Sequence, residues 1–227
     1  VGDEHWPEYY AVTVGRPAWR TVVRAVELFE AEGPSWRRAD QEPRADDPAR
    51  PDPPFAVDLG CGAGRDAREI LRHGWRVLAI DREPSAIESL RAATPPEDLP
   101  RLETLVADLA EADIPPADLV NASISLPFII GPAFDATVDR AIASVRPGGR
   151  FATMLFGDRD ESASDPEMSC RSADWLRDRL TGFAIEDWFE REEDGQTALG
   201  EPHHWHILEV VACRVGTDGR ADEGSIE

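Results

Sequence analysis

The chain contains no lysine: all 24 of its basic residues are arginine, set against 45 Asp and Glu, for a formal net charge of −21. The missing lysine excludes the phosphate loop GxxxxGK[ST], whose lysine reaches the ligand's phosphates. The deficit of positive charge excludes DNA or RNA as the main partner, since binding a polyanion requires a basic patch to neutralise its phosphates. With abundant Ala, Pro and Asp, the all-arginine basic set reads as a codon bias and not as a functional signal. Cysteine is scarce as well. Cys61, Cys170 and Cys213 form no CxxC pair. Their odd number excludes a disulfide framework and fits a reducing, cytoplasmic setting. No apolar run approaches the length of a membrane span. The opening VGDEHWPEYY has neither the basic end nor the apolar segment of a secretory signal.

What is present suits one domain with a real core: 227 residues, 41% hydrophobic and 30% charged. RPAWRTVVRAVELFEAEG reads as an amphipathic helix, opened near Pro17 and stopped by Gly33. Residues 34–54, rich in Pro, Asp and Arg, read as a mobile surface loop. From Phe55 strands and helices alternate. FAVDLG, WRVLAID, RLETLVAD, ADLVNASIS and RFATMLFG are strands, and residues 65–73, 84–93, 133–145 and 171–180 are helices, the last with Ser172 as a cap. FAIEDWFERE and HHWHILEVVACR are two strands joined by a turn-rich stretch, and an acidic tail expected to be disordered begins at Val215. This predicts an α/β fold: a doubly wound, Rossmann-like, seven-stranded, mostly parallel sheet with an antiparallel C-terminal hairpin at its edge and helices on both faces. Residues 55–214 form its ligand-binding body, with residues 1–33 as an N-terminal cover and helix of the same domain.

The chemistry concentrates in AVDLGCGAGRDA. Three glycines in five positions, Gly60, Gly62 and Gly64, follow a strand. The dinucleotide fingerprint GxGxxG/A needs a small sixth residue for close helix–strand packing. Here that position is Arg65. Asp58, at the strand end, would repel a pyrophosphate and attract a cation. Asp81 ends the next strand, about 20 residues on, where an acidic residue binds ribose hydroxyls. The site therefore wants a ribose, a close backbone approach and a positive group, which S-adenosylmethionine (SAM) supplies and NAD does not.

VDLGCGAG resembles the first motif of class I SAM-dependent methyltransferases. VLAIDREPSAI resembles the second, VADLAE the adenine-framing segment, DLVNASISLPF the fourth motif and RPGGRF the turn before the fifth strand. More narrowly, YYAVTVGRP, SLPF and HWHILEVVA are similar to small bacterial methyltransferases of the tellurite-resistance type. The resemblance implies a SAM-dependent methyltransferase acting on a small molecule, with no nucleic acid or membrane partner, as a monomer or homodimer. It assigns Asp58, Gly60, Cys61, Gly62 and Gly64 to the cofactor loop, with Cys61 a small filler. Asp81, with Arg82 beside it, goes to the ribose, and Asp108 and Leu109 to the adenine. Asn121, Ala122 and Ser123 go to the methionine and methyl region. The segment before the sheet would fold over the pocket as a lid, Tyr9 or Tyr10 closing against the methionine end and Arg16 meeting the cofactor carboxylate. Tyr10, Asn121, Arg159 and His206 are the candidates for work on the acceptor, Arg159 as a cation and His206 as a base or orienting group. HHWHILEVVAC also invites a metal reading, but the further ligands that a zinc site needs are not evident, and no metal is expected. Two alternatives stay open: a SAM-using enzyme that cyclises or cleaves, and a SAM-binding regulator without turnover.

Overall fold

The structure, a computed structural model, describes residues 6–13, 15–33 and 53–216. The expected mobile loop, apart from Pro53 and Pro54, and the expected acidic tail beyond Gly216 lie outside these described residues. Seven strands, β1 (Phe55–Leu59), β2 (Arg76–Asp81), β3 (Leu102–Val106), β4 (Ala117–Ser123), β5 (Val145–Phe156), β6 (Phe183–Gln196) and β7 (Pro202–Arg214), form one sheet in the order β3-β2-β1-β4-β5-β7-β6. β3, β2, β1, β4 and β5 run parallel, and β7 lies antiparallel between β5 and β6. Six helices accompany them: α1 (Trp6–Thr13), α2 (Arg20–Glu32), α3 (Arg65–Arg72), α4 (Pro84–Ala93), α5 (Pro132–Ser144) and α6 (Ala173–Arg179).

Alternation along the strands splits the core in two, because successive side chains point to opposite faces. Ala56, Val77, Leu119, Ala152 and Val211 join Val26, Phe29, Ile70 and Leu90 of α2, α3 and α4. Val57, Leu59, Val120, Phe151 and Leu208 join Phe134, Val138 and Leu176 of α5 and α6. Local chemistry sets the helix starts. Pro84 and Pro132 occupy the first turns of α4 and α5, where a missing N–H costs nothing. The Ser172 hydroxyl accepts the Trp175 N–H at 3.2 Å and caps α6. Several element ends differ from the sequence pattern. β5 begins at Val145, taking in the Arg-Pro-Gly-Gly turn, and β3 stops at Val106. The hairpin strands are longer than their apolar cores, because pairing continues through Gln196 and Pro202.

The β-strand order reverses between β1 and β4, both of which end near the same point. In open α/β sheets ligands bind at this switch, outside the carboxyl ends of the strands. At the opposite end Arg150 is fully buried. It donates to both oxygens of Glu186 at 2.6 and 2.8 Å, pairs with Glu32 at the end of α2, and lies 4.2 Å from the Phe29 ring centroid. One guanidinium thus ties α2 to β5 and β6. Arg150→Ala removes the charge that joins two carboxylates and opens a cavity, so it should destabilise the fold by about 3–5 kcal/mol. Chemical denaturation of the two proteins measures this, and a change of less than about 1 kcal/mol would contradict the role.

Candidate active site

The loop after β1 is fixed from three sides. The Gly60 and Cys61 N–H groups both donate to the Ile80 carbonyl of β2, at 2.8 and 3.0 Å. Gly60 has φ +69°, and a Cβ there would lie 2.2 Å from the Cβ of Ser125, in the turn after β4. Gly64 has φ +81°, and its Cβ would lie 2.1 Å from Cδ1 of Leu90 on α4. Both positions therefore exclude any side chain, on conformation and on space. The Ser125 hydroxyl donates to the Leu59 carbonyl, locking the two turns together. Arg65 opens α3 and turns away from the sheet: its Nε donates to the Pro17 carbonyl at 2.8 Å, and its guanidinium stacks 4.1 Å from the Trp19 ring.

Asp81 is buried at the end of β2. Its Oδ2 accepts the Gly62 N–H at 2.8 Å and its Oδ1 the Glu83 N–H at 2.9 Å. Burial raises its pKa, and the two amides oppose that shift. Each oxygen keeps a further lone pair, as a vicinal diol requires. Beyond β3, Asp108 is exposed and its Oδ1 accepts the Ala110 N–H at 2.8 Å. Leu109 is buried, and Arg140 of α5 pins that turn by donating to the Leu109 and Ala110 carbonyls, each at 2.8 Å. Arg82 is exposed beside Asp81 and lies 5.8 Å from the Trp6 ring.

A carboxylate pair sits beneath the loop. Asp58 of β1 and Asn121 of β4 are register partners. The Asn121 amide donates to Asp58 Oδ1 at 2.7 Å and to Asp66 Oδ2, on α3, at 3.1 Å. Asp66 Oδ1 accepts the Trp19 N–H at 2.8 Å, and the Ser123 hydroxyl donates to the Asn121 carbonyl oxygen at 3.0 Å. All three of Asp58, Asp66 and Asn121 are buried, and Asp58 Oδ2 has no hydrogen-bond partner. Burial first, and Asp66 second, push the Asp58 carboxyl up to about 8. Immediately after β4, Ile124 adopts φ +55°, a left-handed conformation that strains a β-branched residue and is concentrated at functional sites.

The segment before the sheet is a helix. α1 lays Tyr10 on the loop, so that a Cβ at Gly62 would meet its ring at 3.1 Å. Trp6 stacks on Tyr10, centroids 6.0 Å apart, and meets Phe128 edge-on at 4.9 Å. Burial, then Asp81 and Glu83, raise the Tyr10 pKa, so its phenol stays protonated beside the β2 end. Tyr9 lies nearer the start of α3, where burial raises its pKa and Arg65 and Arg16 oppose the shift. Arg16 is exposed.

Several expected roles change. Tyr10 packs with Ala63 of the loop and Ala86 of α4, near the end of β2. Asn121 has no exposed surface with which to touch an acceptor, and its amide is consumed by the two carboxylates. Arg159 is not a free acceptor-binding cation: it pairs with Glu192 at 2.8 Å and Glu190 at 2.9 Å. His206 is fully buried under Gly157, its Nδ1 accepting the Arg159 N–H at 3.1 Å and its Nε2 2.9 Å from Glu190. The Arg159 guanidinium also lies 3.0 Å from Nε2, so both ring nitrogens are spent on structure. Ala122 is buried and Ser123 is half-buried at the β4 end. Sequence reasoning missed Asp66 and Trp19. Asp66 follows the glycines directly, and a second acid on a face otherwise filled by Ala67 and Ile70 was the signal. Among the described residues no group of three or more His, Cys, Asp and Glu side chains is placed to hold a metal ion, and no helix is long and apolar enough to cross a membrane.

Strand order, the switch-point loop and the acids at the ends of β1 and β2 define the class: a Rossmann-like, doubly wound α/β domain. Residues 56–149, under half of the chain, match the family model described as a methyltransferase domain. Trans-aconitate 2-methyltransferase of Acidovorax sp. (strain JS42) is 25% identical over 169 residues, 74% of this chain and 60% of the relative, so the chain spans about three fifths of that protein's length. Among solved structures, TehB from Haemophilus influenzae superposes with a TM-score of 0.61 at 16% identity, covering 72% of this chain and 58% of that one. Burkholderia thailandensis 1,6-didemethyltoxoflavin-N1-methyltransferase, solved with its substrate and S-adenosylhomocysteine, gives 0.60 at 19% identity, covering 94% and 85%. At these identities the structural likeness establishes the shared fold.

Asp81→Ala should weaken binding of S-adenosylhomocysteine by about 1–3 kcal/mol, the scale for hydrogen bonds to a charged group. Titration calorimetry reads the change, and an unaltered dissociation constant would remove Asp81 from the site.

Proposed function

We propose that the chain is a SAM-dependent methyltransferase whose acceptor is a small molecule. The observation that carries the reading is the joined set of Gly60–Gly64, Asp81 and Asp58, a backbone cradle flanked by two acids. The residues fit SAM on three counts. Gly60 and Gly64 are held so tightly that a Cβ would clash, leaving backbone alone at the loop. Asp81 has lone pairs to spare for a ribose diol. Asp58 Oδ2 is a buried acceptor without a donor, which suits an ammonium group and opposes a pyrophosphate. Leu109 and Asp108 would frame the adenine, with Ala122 and Ser123 lining the methyl end. Bound there, SAM supplies an electrophilic methyl group that an acceptor atom takes by in-line displacement. The chain's own task is positioning and exclusion of water. Trp6 and Tyr10 of α1 cover the loop and reach Phe128 beyond β4, which supports α1 as a lid that completes the site.

The net charge and the absence of lysine support a small acceptor over nucleic acid. Three free cysteines support a reducing, cytoplasmic setting, and the arginine-only composition a bacterial source. The domain acts as a monomer or homodimer.

Calorimetry should show binding of SAM and S-adenosylhomocysteine and none of NAD. NAD binding without SAM binding would defeat the proposal. Deleting the residues before Pro17 should lower S-adenosylhomocysteine affinity at least about tenfold, the order of one lost closing contact, while circular dichroism shows an intact core. Unchanged affinity would make α1 a flank anchor only.

A further inference from the structure

The Asp58–Asn121–Asp66 group is more than a packing device. Its two carboxylates belong to different elements, and one amide, spending both of its hydrogens, is their common donor. No salt bridge reaches either acid among the described residues. Two ionised carboxylates in this position would each pay desolvation and would repel each other, and such pairs keep a proton. Asp66 is the better satisfied of the two, through the Trp19 N–H and the Asn121 amide. Asp58 is the one left with a bare oxygen.

We propose that Asp66 is a positioning residue that keeps a proton on Asp58 in the ligand-free site, so that capture of the cofactor's ammonium group expels that proton to solvent. The inference rests on the SAM-binding reading of the site. The exchange balances: Asp58 loses one proton to bulk buffer, no covalent bond other than its O–H changes, and the resulting negative charge offsets that of the arriving cation. Burial raises the Asp66 carboxyl as well, and the Trp19 N–H, the Ser123 hydroxyl, Arg65 and the Asn121 amide oppose that shift and favour its ionised form.

The other groups facing the pair are accounted for. On Asp58 they are Asp66, Asn121, Asp81, the Cys61 thiol and the Ala67 N–H, the last of which favours its ionised form. On Asp66 they are Trp19, Ser123, Arg65, Asn121 and Tyr9. Burial and Asp58 hold the Cys61 thiol well above its ordinary range, and burial raises Tyr9, so neither supplies a proton near neutral pH. Asp81 is also raised by burial, but two backbone amides favour its ionised form.

The sign follows from the direction of the shift. The ligand-free fold holds a proton on Asp58 that the unfolded chain has lost, between the ordinary value of 3.8 and about 8. Ligand-free stability therefore falls as pH rises through that interval, and cofactor affinity rises.

Two measurements test this. In the ligand-free protein, carbon-13 NMR should find one aspartate carboxyl titrating far above the others. That signal should vanish in Asp58→Asn and move down in Asp66→Asn. If every aspartate titrates in the ordinary range, the inference fails without any ligand being needed. In calorimetry across buffers of different ionisation enthalpy, S-adenosylhomocysteine should release close to one proton at pH 7, and its affinity should rise up to about tenfold per pH unit from pH 6 to 8. Asp66→Asn should bind with little release and a flat pH profile. Equal release by the wild type and Asp66→Asn overturns the proposal. A raised carboxyl with no S-adenosylhomocysteine binding at any pH overturns the SAM reading and upholds the role of Asp66.

Discussion

One side-chain amide, that of Asn121, holds together two carboxylates that the fold buries without a cation. The arrangement exists because β1 and β4 are register partners at Asp58 and Asn121, and because α3 begins directly after the glycines and brings Asp66 over the same point. Asp66 in turn fixes the entry of α2 through the Trp19 N–H. Four elements therefore converge on one polar node at the switch in strand order. A buried, incompletely neutralised group of this kind costs stability. What it supplies is a negative potential at the place where the backbone loop lies open. Arg150 at the far end shows the contrasting solution, in which a buried charge meets two carboxylates and an aromatic face and serves the fold alone.

The alternation of strands and helices, the sheet's hairpin edge and the loop acids were legible because each has a local cause. Period-two patterns set the strands, prolines and Ser172 set helix starts, and the glycines sit where only glycine fits. The boundaries of β5 and of the hairpin were not legible, because pairing partners extended them through polar residues with no apolar signal of their own. The roles of Arg159 and His206 were misread for a related reason. A lone arginine and a lone histidine look available in sequence, yet Glu190 claims both and Glu192 claims the arginine, partners distant in the chain and adjacent only in the sheet. Asn121 was assigned to the methyl region by its strand position. Its burial depends on α3 and on the neighbouring strand, which its own segment does not encode. The strain at Ile124 left no trace at all, since nothing in NASISLPF announces a left-handed isoleucine.

The two sides of the site are built on opposite principles. On the cofactor side, polar groups are left with capacity: Asp81 with further lone pairs, Asp58 with a bare oxygen, Gly62 without a side chain. On the β5–β7 side, polar groups satisfy one another. Arg159 is held by Glu190 and Glu192, Arg171 by Asp135, and Asp160 by His203 and the His206 amide. What remains partly exposed there is apolar, with Trp19, Phe128, Met168 and Trp205 gathered around Phe156 and Ile207. Polar groups with spare capacity can select a ligand by its charges and hydroxyls, whereas a self-satisfied network with an apolar wall can select only by shape and contact area. That division accounts for the legibility of the cofactor in the motifs. Discrete donors and acceptors at set spacing leave a motif, whereas an apolar wall leaves only scattered aromatics in the sequence.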